Sequence, residues 1–95
     1  MIRYTPRARD DLVSIFHFIS NRHAAAAKAV RAQIVFSIGL LAEFPELGVE
    51  RPELGVRALG VPRYAYTVYY RVEGEDVWVV HIRDDRRSPL TSWEV

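Results

Sequence analysis

A chain of 95 residues, 49% hydrophobic and 26% charged, can build one core, and its composition excludes a disordered or fibrous class. The absence of cysteine excludes a disulfide framework and thiolate metal sites, and a formal net charge of +1 argues against a dedicated nucleic-acid coat. No apolar stretch is expected to reach the ~20 residues of a membrane span and the start "MIRYTPRARDD" has no secretory core, so the expectation is one domain, residues 1–95, in the cytoplasm, with no membrane.

In "YTPRARDDLVSIFHFISNR", Ala8, Leu12, Ile15, Phe16 and Ile19 share one face of a helix. Thr5 before Pro6 has the form of an N-cap followed by proline at the first helical position. Asp10 and Asp11 then fall near the positive end of the helix dipole, a sufficient structural reason for both. Asn21 ends the helix or starts the turn. A second helix follows in "AAAAKAVRAQIVFSIGLLAEF", with Val30, Ile34, Ile38 and Leu41 as its apolar stripe. Gly39 inside it is expected to mark tight packing against another element, and Pro45 stops it. The two helices form an antiparallel hairpin.

"PELGV" occurs twice, at 45–49 and 52–56. One five-residue echo is too short for a repeat architecture, so this stretch reads as a loop with two glycine turns. "VRALGV", "YAYTVYYRVE" and "DVWVVHIRD" read as three strands, with "EGED" the tip of a hairpin between the last two and "MIRY" a short extra strand at the edge. The expected fold is α+β: an N-terminal antiparallel helical hairpin packed on a small twisted antiparallel sheet of three to four strands. Burial selects an odd hairpin loop, Gly74 to Asp76, because a one-residue slip turns every side chain to the other face. In that register Val72 faces Trp78, Tyr70 faces Val80 and Val68 faces Ile82, all toward the helices. Arg71 faces Val79, Tyr69 faces His81 and Thr67 faces Arg83 on the other side.

The second half of the chain carries Arg51, Arg57, Arg63, Arg71, Arg83, Arg86 and Arg87 and no lysine. Arginine offers a planar donor fork suited to carboxylate or phosphate. RNA cleavage through the 2′-hydroxyl needs a base, an acid for the leaving group and cations on the phosphate. His81 is the candidate base and Tyr69, across the strands, the candidate acid. The structural account of the same pair, a half-buried strand histidine bonded to Tyr69, is preferred. His17 and His23 have no third ligand, so no metal site and no cofactor are expected. No glycine-rich phosphate loop is present.

The order helix, helix, strands resembles the RelE/ParE family of bacterial toxins from type II toxin–antitoxin operons. "YTPRARDDLVSIFHFIS" resembles the family's start to its first helix, "LLAEFPELG" its helix-to-strand junction, and "VRALGVPRYAYTVYYRV" and "HIRDDRRSP" its central strands and arginine-rich exit. The "FPELG" junction is closer to the ParE branch. That branch implies inhibition of DNA gyrase without catalysis; the RelE branch implies ribosome-dependent mRNA cleavage. Both imply a cognate antitoxin whose C-terminal segment wraps the toxin, giving a toxin–antitoxin hetero-oligomer. RelE-like catalytic positions fall at Thr67, near Thr91 and at Asp84, and none carries the residue the nuclease would use. The expected function is therefore gyrase inhibition, with mRNA cleavage, or a degenerate chain that only binds its antitoxin, as alternatives.

"HIRDDRRSP" then reads as a recognition edge, because interleaved acids and arginines suit a protein partner better than a polyanion. Arg57, Arg71, Arg83, Arg86 and Arg87 are the expected target-binding residues. Val13, Phe18, Val35, Phe36 and Leu40 lie off the two core stripes and are expected to bind the antitoxin.

Overall fold

The computed structural model describes residues 1–86. Strand β1 (Ile2–Tyr4) leads into helix α1 (Pro6–Ser20) and helix α2 (Ala24–Gly39), which runs on into a 3-10 turn at Leu40–Ala42. Strands β2 (Val49–Arg51), β3 (Val56–Gly60), β4 (Tyr66–Glu73) and β5 (Asp76–Asp84) complete the fold. They form one five-stranded sheet in the order β1-β5-β4-β3-β2. The architecture is α+β as expected, but the sheet is larger and mixed: β1 pairs parallel with β5, the other neighbours antiparallel. β2 falls where a loop was expected; three residues, "VER", are too few to show alternation.

Local signals explain the helices. The Thr5 hydroxyl accepts from the Ala8 amide at 3.1 Å, with Pro6 at the first helical position, which satisfies a free donor of the first turn. His23 caps α2 by accepting from Ala26 through Nδ1. Asn21 closes α1 through its amide, and α2 ends before Pro45. Gly39 has no atom within 4 Å of where a Cβ would stand, which corrects the expected tight packing; nothing in the structure explains that glycine.

The run Ala24–Ala42 corrects only the expectation that no apolar stretch approaches the length of a membrane span. Its 19 residues, with a mean hydropathy of 1.4, are long and apolar enough by length and composition to cross a bilayer. Alanines raise that average; in the fold, Ala27, Val30, Ile34 and Ile38 bury one side of the helix. Val30, Ile34 and Ile38 pack with Ala8 of α1 against Val68, Val79 and Ile82 of the sheet. Leu12, Ile15 and Ile19 flank this core and Leu41 packs on Tyr70 and Val77, so both expected stripes face the sheet except for Phe16, which lines a cleft beside Arg9 and Arg31.

The β4–β5 hairpin combines two registers. From Tyr66 to Tyr69 the pairing is as expected, with Val68 opposite Ile82 and Tyr69 opposite His81. Nearer the turn it slips by one: Tyr70 pairs with Val79, Arg71 with Trp78 and Val72 with Val77. The shift between Tyr69 and Tyr70 leaves Val80 as the extra residue of a β-bulge. Its cause lies in the turn. Glu73 pairs with Asp76, so Gly74 and Glu75 form a two-residue loop, and Gly74 supplies the positive φ, 62°, that such a loop needs. Hence Val77 and Val79, not Trp78 and Val80, face the helices. Trp78 and Val80 instead cluster with Val56, Ala58 and Tyr69 on the sheet's opposite face.

Tyr70 ties the "FPELG" junction to the sheet. Its fully buried ring carries a hydroxyl that donates to the Pro45 carbonyl and accepts from the Gly48 amide, both at 2.8 Å. A Cβ on Gly48 would stand 2.7 Å from the Tyr70 ring, so only glycine admits this approach.

Candidate functional site

His81 lies on β5 just beyond the bulge and is 7% exposed. Its Nδ1 is 2.6 Å from the Asp11 carboxylate, whose same oxygen accepts the Ile82 amide at 3.0 Å. Its Nε2 is 3.4 Å from an Arg7 nitrogen, and its ring stacks on Tyr69 with centroids 6.0 Å apart. Two expectations are corrected here. The histidine's hydrogen-bond partner is Asp11 rather than Tyr69. Asp11 itself is not a solvated dipole charge: β1 ends at Tyr4, and Asp11 reaches the neighbouring stretch of β5 from α1. Asp11 therefore orients the imidazole, as a partner carboxylate orients a general base. The ring, however, is enclosed on both nitrogens and one face. Among the described residues no cluster of His, Cys, Asp or Glu could hold a metal.

The expected target arginines do not come together. Arg57 pairs with Tyr70 in register and turns to the junction loop, donating to the Gly48 carbonyl at 2.8 Å and pairing with Glu50 at 3.2 Å. Arg71 is beside Trp78 at the hairpin end and pairs with Glu73 at 3.1 Å. Arg83 is opposite Thr67 at the other end of the hairpin and is only 8% exposed. Arg86 follows β5, exposed, with Nε and Nη2 on the Asp84 carboxylate at 2.9 and 2.8 Å. That fork raises the Arg86 pKa, first through the hydrogen bond and then through the opposite charge. Arg83 and Arg86 thus share the strand exit, while Arg57 and Arg71 lie elsewhere. Arg87 and Thr91 lie outside the described residues.

The expected antitoxin residues are on the surface with one exception. Val13, Phe18, Phe36 and Leu40 are exposed, and Val35 is half-buried. Phe18 lies under Arg22, 4.0 Å from guanidinium to ring centroid, at the rim of a cavity of about 230 Å³ shared with Asp11, His81, Arg83 and Asp84. Sequence reasoning missed Phe44, Leu47 and Val49, also exposed. The spacing of four from Phe36 to Leu40 to Phe44 is the signal that could have found the first of them.

A family model described as "ParE toxin of type II toxin-antitoxin system, parDE" matches residues 2–89. Among solved structures, the chain is similar to one titled "Chromosomal ParDE TA system from P. aeruginosa", with a TM-score of 0.76 and 24% identity. The match covers 87% of this chain and 92% of that one. Comparison with curated proteins gives no match.

Proposed function

Since the chain belongs to the ParE toxin family of type II toxin–antitoxin systems, we propose that it acts in the cytoplasm as a non-catalytic inhibitor of DNA gyrase and is silenced by a cognate antitoxin. The observation that carries the non-catalytic reading is that both ring nitrogens of His81 are engaged within the fold, although the residue also lines the cavity of about 230 Å³. With Nδ1 on Asp11, Nε2 facing Arg7 and the ring stacked on Tyr69, the histidine joins α1 to β5. A proton-transferring base must instead come within hydrogen-bond reach of its substrate. Threonine at Thr67, opposite Arg83, supplies no cation for a phosphate. The runner-up, ribosome-dependent mRNA cleavage, draws its support from the Asp11–His81 pair.

The antitoxin reading rests on the exposed apolar residues Val13, Phe18, Phe36 and Leu40 of the helical layer, because large apolar side chains left on the surface of a small domain mark a partner site. The C-terminal segment of the antitoxin would cover them in a hetero-oligomer. We propose the strand exit as the target edge, with Arg86 and Arg87 meeting the target and Arg83, which is buried, behind them. Purified toxin tested in gyrase supercoiling and in ribosome-dependent mRNA cleavage decides between the two activities. Inhibited supercoiling with intact mRNA is expected, and cleaved mRNA with unaffected gyrase would overturn the reading.

A further inference from the structure

The arginines of this protein divide by layer. In and beside the sheet, Arg3, Arg51, Arg57, Arg71 and Arg86 each meet a carboxylate within 3.2 Å. In the helical layer, residues 6–40 hold five cations, Arg7, Arg9, Arg22, Lys28 and Arg31, against Asp10 and Asp11, and Asp11 is committed to His81. Among the described residues Arg9 and Arg31 make no ion pair. Both line a cavity of about 240 Å³ with Leu12, Val13, Phe16 and His17. Its lining combines two guanidinium groups with apolar side chains and holds no acidic residue.

We propose that this cleft between α1 and α2 receives acidic side chains carried on an apolar segment of the antitoxin, with Arg9 and Arg31 as the groups that select the cognate partner. The inference rests on the antitoxin reading above and adds the chemistry of recognition to it. The volume is below that of a usual small-molecule site and suits one or two side chains. A guanidinium binds a carboxylate through two parallel hydrogen bonds, and the apolar lining of Leu12, Val13 and Phe16 calls for aliphatic neighbours on the same segment. A bare phosphate backbone would leave Val13, which is exposed, uncovered. Cations without partners also disfavour an antitoxin with basic residues at this point, since like charges brought together across an interface reject it.

The test measures the affinity of full-length toxin for the antitoxin encoded beside it, at low and high salt. Arg9→Glu plus Arg31→Glu should weaken binding about 10- to 100-fold at low salt, with a smaller loss at high salt. Thermal stability should hold, because both side chains are exposed; Arg9→Gln plus Arg31→Gln gives a milder second reading. Glutamate-to-arginine changes in the antitoxin's C-terminal segment should restore affinity for the double glutamate variant. An affinity within about twofold of the parent would overturn the proposal. If Phe36→Asp plus Leu40→Asp weakens binding in that case, the apolar docking reading survives without it; if that pair is also silent, both fall. Loss of binding to a DNA duplex with antitoxin affinity intact would equally overturn it.

Discussion

Asp11 and His81, 70 positions apart in the sequence, share a 2.6 Å hydrogen bond that joins α1 to β5. Asp11→Ala would leave the His81 ring and the Ile82 amide without this acceptor. The expected cost is about 1–3 kcal/mol, a fall in Tm of several degrees for a domain of this size. Chemical denaturation with an unchanged m-value checks that only stability has moved.

His81→Ala separates the two activities. In a gyrase inhibitor, growth inhibition should survive apart from the effect of lower stability. Loss of a general base would instead reduce RNA cleavage by roughly 10²–10⁴. Single-turnover cleavage assays on protein shown to be folded provide the comparison.

Tyr70→Phe and Gly48→Ala strike the same joint. The first removes the hydroxyl from Pro45 and Gly48 and should cost about 1–3 kcal/mol. The second forces a methyl against the Tyr70 ring and should cost about as much through overpacking. Because both act on one contact, the double variant should lose less than the sum of the two. Urea unfolding of the three variants measures the coupling.

Alkaline pH should weaken the fold through the same hydroxyl. Burial raises the Tyr70 pKa above its ordinary 10.0, against the opposing pull of the Gly48 amide and Arg57. Burial likewise raises Tyr4, against Arg31. The folded state therefore keeps these protons to higher pH than the unfolded chain does. Their stabilisation is complete below pH ~10 and is lost as pH rises through the raised values. Melting curves at neutral pH and above pH ~10 should show a fall, and Tyr70→Phe should make that fall shallower while leaving the share from Tyr4.

Arg86→Glu plus Arg87→Glu should abolish growth inhibition while sparing folding and antitoxin binding, if the strand exit meets the target. The Arg86–Asp84 pair is exposed at the arginine, and such pairs add little stability, so Tm should hardly change. Growth inhibition that survives in soluble variant protein would move the target site to the helical hairpin.

By itself the sequence determined the helices and the core stripes they carry. Those signals are local: Thr5 and Pro6 start α1, a period near 3.6 selects Val30, Ile34 and Ile38, and Pro45 lies beyond the end of α2. The resemblance carried by "FPELG" was legible too, although its physical reason, the Tyr70 hydroxyl bridging Pro45 and Gly48, was not. Only the tertiary structure decided the hairpin. Gly74 favours a two-residue turn, whereas burial of Val68 against the helices requires Ile82 opposite it. No single register satisfies both, and the bulge at Val80 does. The structure likewise brought Asp11 to His81 and β1 to β5, contacts between segments 70 or more residues apart that no local period can announce. It also separated arginines that the sequence had grouped, because strand pairing and alternation set Arg57 against the junction loop and Arg71 at the hairpin end. Proximity along the chain is a poor guide to proximity on a sheet, where neighbouring side chains alternate between faces and strands ~4.8 Å apart decide which residues meet.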